Sequence, residues 1–294
     1  MLGYAMAIAV QIGIIMILTI SVNLQYGFTG LINFGVVAFY AVGAYASALL
    51  AIAGVPVPLA LLAAALIGAL AAIPLGAVAV RLRAEYLAIV TLGFAEVVRL
   101  VAQNERWLTG GSSGLGGIPR PTGDWPAPFD ALGYVALTGF VLLIVILVIR
   151  RIVASPYGRI LQAIRDNLEA VGAIGKNANR FKLQILAIGG GIAAEAGALQ
   201  AHYIGYVSPE QMVSHQTFIA WMAMIIGGAG RLAGSVIGAA VVMLLFEGSR
   251  FMRDVLPGVS EVEMASIRLA LVGLALILFT VYRPQGLAGD YNSR

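Results

Sequence analysis

Two charged residues three positions apart, Glu96 and Arg99, stand inside the apolar stretch EYLAIVTLGFAEVVRLV (85–101). Residues spaced by three are neighbours on one helix face. A carboxylate and a guanidinium so placed can line a path and meet the ammonium and carboxylate of a zwitterion. They can equally pair with each other and set helix packing, and the sequence leaves both open. Charges at membrane depth are expensive and usually face a cavity or one another. Asn33, in GLINFGVVAFYAVGAY (30–45), offers its amide to a path or to a helix–helix hydrogen bond. Glu195, Glu247 and Arg268 are further charges within or beside apolar runs, and Arg268 has either glutamate as a candidate partner. Other chemistry finds no support. There is no Cys, and His202 and His215 have no ligand-spaced neighbours, so no metal site is assigned. There is no GxxxxGK[ST] phosphate loop, so the chain is expected to bind no ATP itself. An intramembrane enzyme would need a nucleophile–base pair, paired acids or a metal. The scattered Glu and His residues form none, and no catalytic residue is assigned.

A different kind of site is suggested by RILQAIRDNLEAVGAIGKNANRFK (159–182), the one long charged stretch. Ile160, Ile164, Leu168, Val171 and Ile174 recur at helical spacing and make one apolar stripe, with Arg159, Arg165, Asp166 and Glu169 off it. Gly172 and Gly175 weaken the helix and Asn177 and Asn179 suit a turn. Such a helix can lie on lipid or dock in a groove of a partner. A lipid-surface helix concentrates cations on its polar face. The admixture of Asp166 and Glu169 favours a protein partner.

The elements that hold these residues follow from composition. The chain of 294 residues is 60% apolar and only 11% charged, with a mean hydropathy of +0.93. It cannot bury that surface against itself, so lipid must be its solvent. A crossing helix needs about 20 apolar residues, and the runs here are too continuous for a β-barrel. The expected class is an all-α polytopic membrane protein with a single domain over 1–294. Apolar runs fall at 4–22, 31–53, 57–80, 86–104, 133–151, 183–206, 215–229, 233–250 and 263–283, or about nine spans within a range of eight to ten. The pair at 215–250 is short and joined by GGAGRLAG. The first run has no Lys or Arg before it, unlike a signal peptide, and reads as a retained span.

Lys and Arg set the orientation. Of eighteen, Arg150, Arg151, Arg159, Arg165, Lys176, Arg180 and Lys182 cluster around 152–182, which is therefore expected in the cytoplasm. Counting outward puts Arg81, Arg83, Arg231, Arg283 and the C-terminus inside, and the N-terminus and 105–132 outside. These charges serve topology, and no nucleic-acid partner is implied. Small residues recur every fourth position at Gly189, Ala193, Gly197 and Ala201, at Gly230, Gly234 and Gly238, and at Gly68, Ala72 and Gly76. This is the spacing of faces that let helix backbones approach. The outer segment TGGSSGLGGIPRPTGDWP has too much Gly and Pro for a regular element, so it must be wet or folded back on protein. Trp107 and Trp125 suit the membrane interface.

Several stretches together carry a family resemblance. Glu169-Ala170-Val171, three residues, then Gly175 resembles the EAA loop of ABC-importer permeases, with Val171 in place of the usual second Ala. SPYGRILQAIRDN (155–167) resembles the start of that loop in permeases of the branched-chain amino acid importers. EYLAIVTLGFAEVVRLV followed by LTGGSSGLGGIP (108–119) resembles the hallmark of one of that system's two paired permeases. GLINFGVVAFYAVGAY, IIGGAGRLAGSVIGAA (225–240) and YRPQGLAG (282–289) match in order across nearly the whole chain. Two departures are Val36, where relatives often carry a polar residue or His, and Glu195, in a segment normally of Gly, Ala and Leu.

The resemblance implies a division of labour. An external solute-binding protein delivers the small-molecule substrate, two permeases form the pathway in an inner membrane, and two ATP-binding cassette subunits drive it. No cofactor is implied for this chain. Pathway candidates are then Asn33, Glu96 and Arg99, with Thr109, Gly110, Gly111, Gly114 and Leu115 as an external gate or docking site for the binding protein. Coupling to the ATPase would fall to Ile160, Ile164, Arg165, Leu168, Glu169, Ala170 and Gly175. Competing readings are a stand-alone secondary transporter, whose internal repeats are not evident, and the same architecture carrying urea, short amides or other amino acids.

Overall fold

The computed structural model describes residues 2–251, apart from 80 and 124, and scattered positions between 266 and 288. The last expected span, 263–283, is described only at scattered positions, and Arg268 lies outside the described residues.

The chain is an all-α membrane protein. Its long helices are α1 (Leu2–Gln25), α2 (Val36–Ile52), α3 (Val57–Ala79), α4 (Ala84–Asn104), α6 (Phe129–Ala154), α9 (Ala178–Ile204), α10 (His215–Gly227) and α11 (Leu232–Phe251). Short helices α5 (Arg106–Thr109), α7 (Pro156–Asp166) and α8 (Leu168–Ala173) lie between them. All eight apolar runs expected between 4 and 250 are helical. Among the described residues α1, α3, α6 and α9 are long and apolar enough to cross a membrane alone, while α2, at 17 residues, is shorter. The segments Pro209–Gly227 and Leu232–Gly248 pass that test only together and bend by 118°. A bend beyond a right angle sends the chain back toward the side it came from.

Helix α9 lies at the centre, against α1, α2 and α3, and α1 also packs on α6, α10 and α11. The four-residue series are the reason these helices approach so closely. A Cβ on Gly197 would fall on the carbonyl oxygen of Tyr40, and one on Gly43 on the backbone of Ala194. Gly68 faces Ala194 and the Gly190 carbonyl, and Gly76 faces Leu183. Gly234 and Gly238 meet the backbone of α10 in the same way. Contacts of this kind replace the hydrophobic drive that lipid does not supply.

Helix α2 begins at Val36, five residues later than its apolar run. Gly35 N–H donates to Asn33 Oδ1 at 2.8 Å, and this local turn competes with helix.

Candidate functional site

The Glu96–Arg99 pair sits on the outward face of α4. Arg99 donates from Nε to Glu96 Oε2 at 3.0 Å and from a terminal nitrogen to Oε1. The Glu96 side chain is half exposed, at 51%, and the Arg99 side chain is 22% exposed. Large apolar neighbours Ile89, Val97 and Val101 are exposed on the same helix, so this face is uncovered within the chain.

Asn33 is elsewhere, and buried. Its Nδ2 donates to Gln25 Oε1 at 2.7 Å, Gln25 Nε2 donates to Ser21 Oγ at 3.2 Å, and Ser21 Oγ donates to the Gly189 carbonyl at 2.7 Å. The Asn33 carbonyl accepts from Trp221 Nε1 at 3.1 Å. This relay joins the loop before α2 to α1, α9 and α10, and the structure does not bring it together with Glu96 and Arg99. The neighbouring Val36 is fully buried.

The Gly-rich segment after α5 is folded back on protein. Thr109 Oγ1 donates to a helix carbonyl and accepts from Gly111 N–H at 3.2 Å, closing the turn after α5. Gly110, Gly111 and Gly114 all have positive φ, near 70°, where a side chain is strained. Strand β1 (Leu115–Gly116) pairs antiparallel with β2 (Tyr206–Val207), Leu115 opposite Val207. Tyr206 Oη donates to the Ser113 carbonyl at 2.7 Å. His202 holds the same seam from beneath. Its Nδ1 donates to the Pro119 carbonyl, 2.7 Å away, and its Nε2 lies 2.8 Å from Ser47 Oγ. Beside it the Arg120 guanidinium lies over the rings of Tyr134 and Tyr203. Trp107 and Trp125 are exposed.

On the side bearing the cation cluster, the single stripe expected over 160–174 is divided. Ser155 caps α7, with Pro156 in its first turn. Asn167 then leaves helical geometry, at φ −155° and ψ 99°, and its side chain accepts from Ala170 N–H at 3.0 Å, capping α8. The kink turns the two halves of the stripe apart. Leu161, Ile164 and Val171 are buried in the chain's own body, Ile160 is partly covered, and Leu168 and Ile174 stand 45% and 70% exposed. Glu169 and Ala170 are exposed beside them. The signal for the break was present in Asp166-Asn167, since Asn inside a helix prefers a cap.

Arg165 differs from a rim residue. It donates from Nε to Asp166 at 2.9 Å and from a terminal nitrogen to the Gly27 carbonyl at 2.8 Å. Asn23 ties this corner to the α10–α11 turn, donating to the Arg231 carbonyl at 2.8 Å and accepting from Gly230 N–H at 2.8 Å. Gly175 has φ 74° with open space around it, so torsion rather than crowding favours glycine there. Tyr157 donates to Gln184 Oε1 at 3.0 Å, and burial pushes its phenol above the ordinary value.

Glu195 lines an apolar cavity of about 500 Å³ between α3, α6 and α9. One of its oxygens is buried without a hydrogen-bond partner among the described residues. Glu247 accepts from Tyr4 Oη at 2.9 Å. Sequence reasoning missed a further polar cavity at the C-terminal end of α9, because its residues come from α2, α9, the loop before α10 and the first turn of α10 and form no local motif.

Known proteins resemble this sequence along most of its length. A family described as the branched-chain amino acid transport system permease component matches residues 4–280. The high-affinity branched-chain amino acid transport system permease protein LivM of Salmonella typhimurium is 34% identical over 95% of this chain and 69% of its own length. The protein of the same name from Escherichia coli is 34% identical over 93% and 67%. An autoinducer 2 import system permease protein, LsrC of Salmonella paratyphi B, is 29% identical over 64% of the chain and 53% of its own length. No solved structure gives a significant match. The chain belongs to the branched-chain amino acid transport system permease component family.

Proposed function

We propose that this chain is one of two paired permeases of an ATP-driven importer, and that it carries branched-chain amino acids handed over by an external solute-binding protein. The whole of 1–294 forms one permease domain in the inner membrane, of about nine spans when α10 and α11 are counted as two crossings. Its N-terminus and the 105–132 loop lie outside, and the 152–182 loop and the C-terminus lie in the cytoplasm. Because the α10–α11 pair turns back on itself, counting it as two crossings or as a re-entrant hairpin leaves the C-terminus on the same side. Two ATP-binding cassette subunits dock on the cytoplasmic loop and do the hydrolysis.

The observation that carries this reading is α8. Leu168 and Ile174 are large, apolar and exposed on a segment bracketed by Arg165 and Lys176, with Asp166 and Glu169 alongside. Mixed charge around two exposed aliphatic residues suits a protein groove better than an anionic lipid surface. The test is uptake of leucine into proteoliposomes holding this chain, its sister permease, the two ATPases and the binding protein. Uptake should require ATP and binding protein together. Uptake by this chain alone down an ion gradient would show a secondary transporter instead. The match to an autoinducer 2 permease favours, as a second reading, the same architecture with another solute. Competition for uptake by a panel of solutes separates the two.

A further inference from the structure

The missed cavity has a volume of about 350 Å³ and lies where α9 ends, beside β2 and the folded-back outer loop. That is in the size range of small-ligand sites. Its polar wall is made by Tyr40 of α2, Gln200 of α9, and Glu210, Gln211 and Gln216. Ile204 and Val213 make the apolar part.

The chemistry of this wall is one-sided. Among the described residues that line the cavity Glu210 is the one carboxylic acid, and none is Lys, Arg or His. Gln200 Oε1 is buried without a hydrogen-bond partner among the described residues, and a buried acceptor without a donor is costly. A ligand that repairs this must bring N–H donors and positive charge. Tyr40 and the amides of Gln211 and Gln216 hold the complementary donors for an anionic oxygen. The aliphatic pair Ile204 and Val213 adds a small greasy contact. Ammonium, carboxylate and short aliphatic chain together describe an α-amino acid.

We propose that this cavity is the outward receiving subsite of the pathway. It binds a free α-amino acid with its ammonium on Gln200 Oε1 and the Glu210 carboxylate, its carboxylate on Tyr40 and the glutamine amides, and its side chain on Ile204 and Val213. The proposal rests on the transport reading above and adds to it where in the fold the solute is first held. The outer Gly-rich loop, stitched to β2 at the rim of this cavity, then lies where a binding protein would deliver its cargo.

The test uses the reconstituted complex with loaded binding protein and radiolabelled leucine. Glu210→Gln should lower uptake about tenfold, and Glu210→Lys more, because a hydrogen bond to a charged group is worth about that factor or more. Gln200→Leu, which keeps bulk but removes the acceptor, should lower uptake to a similar degree. Gln200→Glu, which adds a second carboxylate for the ammonium, should keep it within about threefold of the parent. A merely structural Gln200 would reverse that order, since a buried carboxylate disturbs packing more than a leucine does. Glu210 is exposed, so its variants assemble and decide the matter even where Gln200→Leu does not. Normal uptake by Glu210→Lys and Gln200→Leu in an active complex would overturn the subsite and leave the transport reading standing. An assembled parent complex that hydrolyses ATP but takes up no amino acid would overturn the transport reading instead.

Discussion

Replacing Leu168 by Asp tests the docking role of α8 with little risk to the permease itself. Leu168 is the first residue of α8, where a carboxylate is welcome because the helix N-terminus is partly positive. The local fold should therefore survive. Its surface is 45% exposed in the chain alone. Burying a whole leucine is worth about 1.5–3 kcal/mol, so the free share offers a partner about 0.7–1.4 kcal/mol. The substitution removes that share and adds the burial of a polar group without a partner, about 1–3 kcal/mol. The sum is about 2–4 kcal/mol, or roughly a thirty- to eight-hundredfold weaker complex. The measurement is co-purification of the ATPase with tagged permease across a dilution series, followed by stimulated hydrolysis in liposomes. Val171→Asp is the contrast. Val171 is 2% exposed inside the chain, so this variant should lose the folded permease rather than the partner. If Leu168→Asp holds the ATPase within about threefold of the parent and still transports, α8 is not the docking element and the reasoning from its exposed face fails.

Glu169→Gln touches only an exposed charge and should weaken assembly by less than about fivefold, while stimulated hydrolysis, read in the same liposomes, falls. Glu96→Gln should leave assembly intact, because the pair lies on an uncovered face of α4, yet lower leucine uptake; a complex that fails to form on gel filtration would make the pair a packing device. Gly197→Leu places atoms on the Tyr40 carbonyl and should destabilise by about 1–3 kcal/mol or more, read as a lower thermal midpoint in detergent. Gly139, with nothing within 4 Å of its missing Cβ, should tolerate Leu with no comparable loss. Single Cys residues at Asn177 and Gly116, in a chain with no native Cys, should label from opposite faces of the membrane with an impermeant reagent.

The helices were legible because lipid demands long apolar runs, and α1, α3, α6 and α9 fall within a few residues of them. The packing faces were legible because four-residue spacing of small residues is a local pattern. What was not legible depends on a second segment. Nothing in TGGSSGLGGIP names Tyr206 and Val207 as its partners, and nothing around Gln200 announces Tyr40 or Glu210. The position of Arg165 is the same kind of case. On a helical wheel it lies off the apolar stripe, as a rim charge would, and its use as a clamp on the Gly27 carbonyl follows only from the fold of the loop after α1. The amide of Asn33 was ambiguous for a related reason, since a buried relay through Gln25 and Ser21 and a wet pathway use the same functional group.

The glycine-lined meeting of α9 with α2 and α3 sets what kind of movement this protein can make. Interlocked side chains give a contact notches, and one element can ratchet past another to a second set of notches one turn along. Here α2 and α9 meet almost backbone to backbone, at Gly197 against the Tyr40 carbonyl and Gly43 against Ala194, while on α3 Gly68 and Gly76 receive the side chains of Ala194 and Leu183. Sliding would simply drive a Cβ into a carbonyl, as the site beside Tyr40 would do to any residue but glycine. The three helices therefore travel as a single plank. Any opening of a route across the membrane has to occur along the edges of that plank.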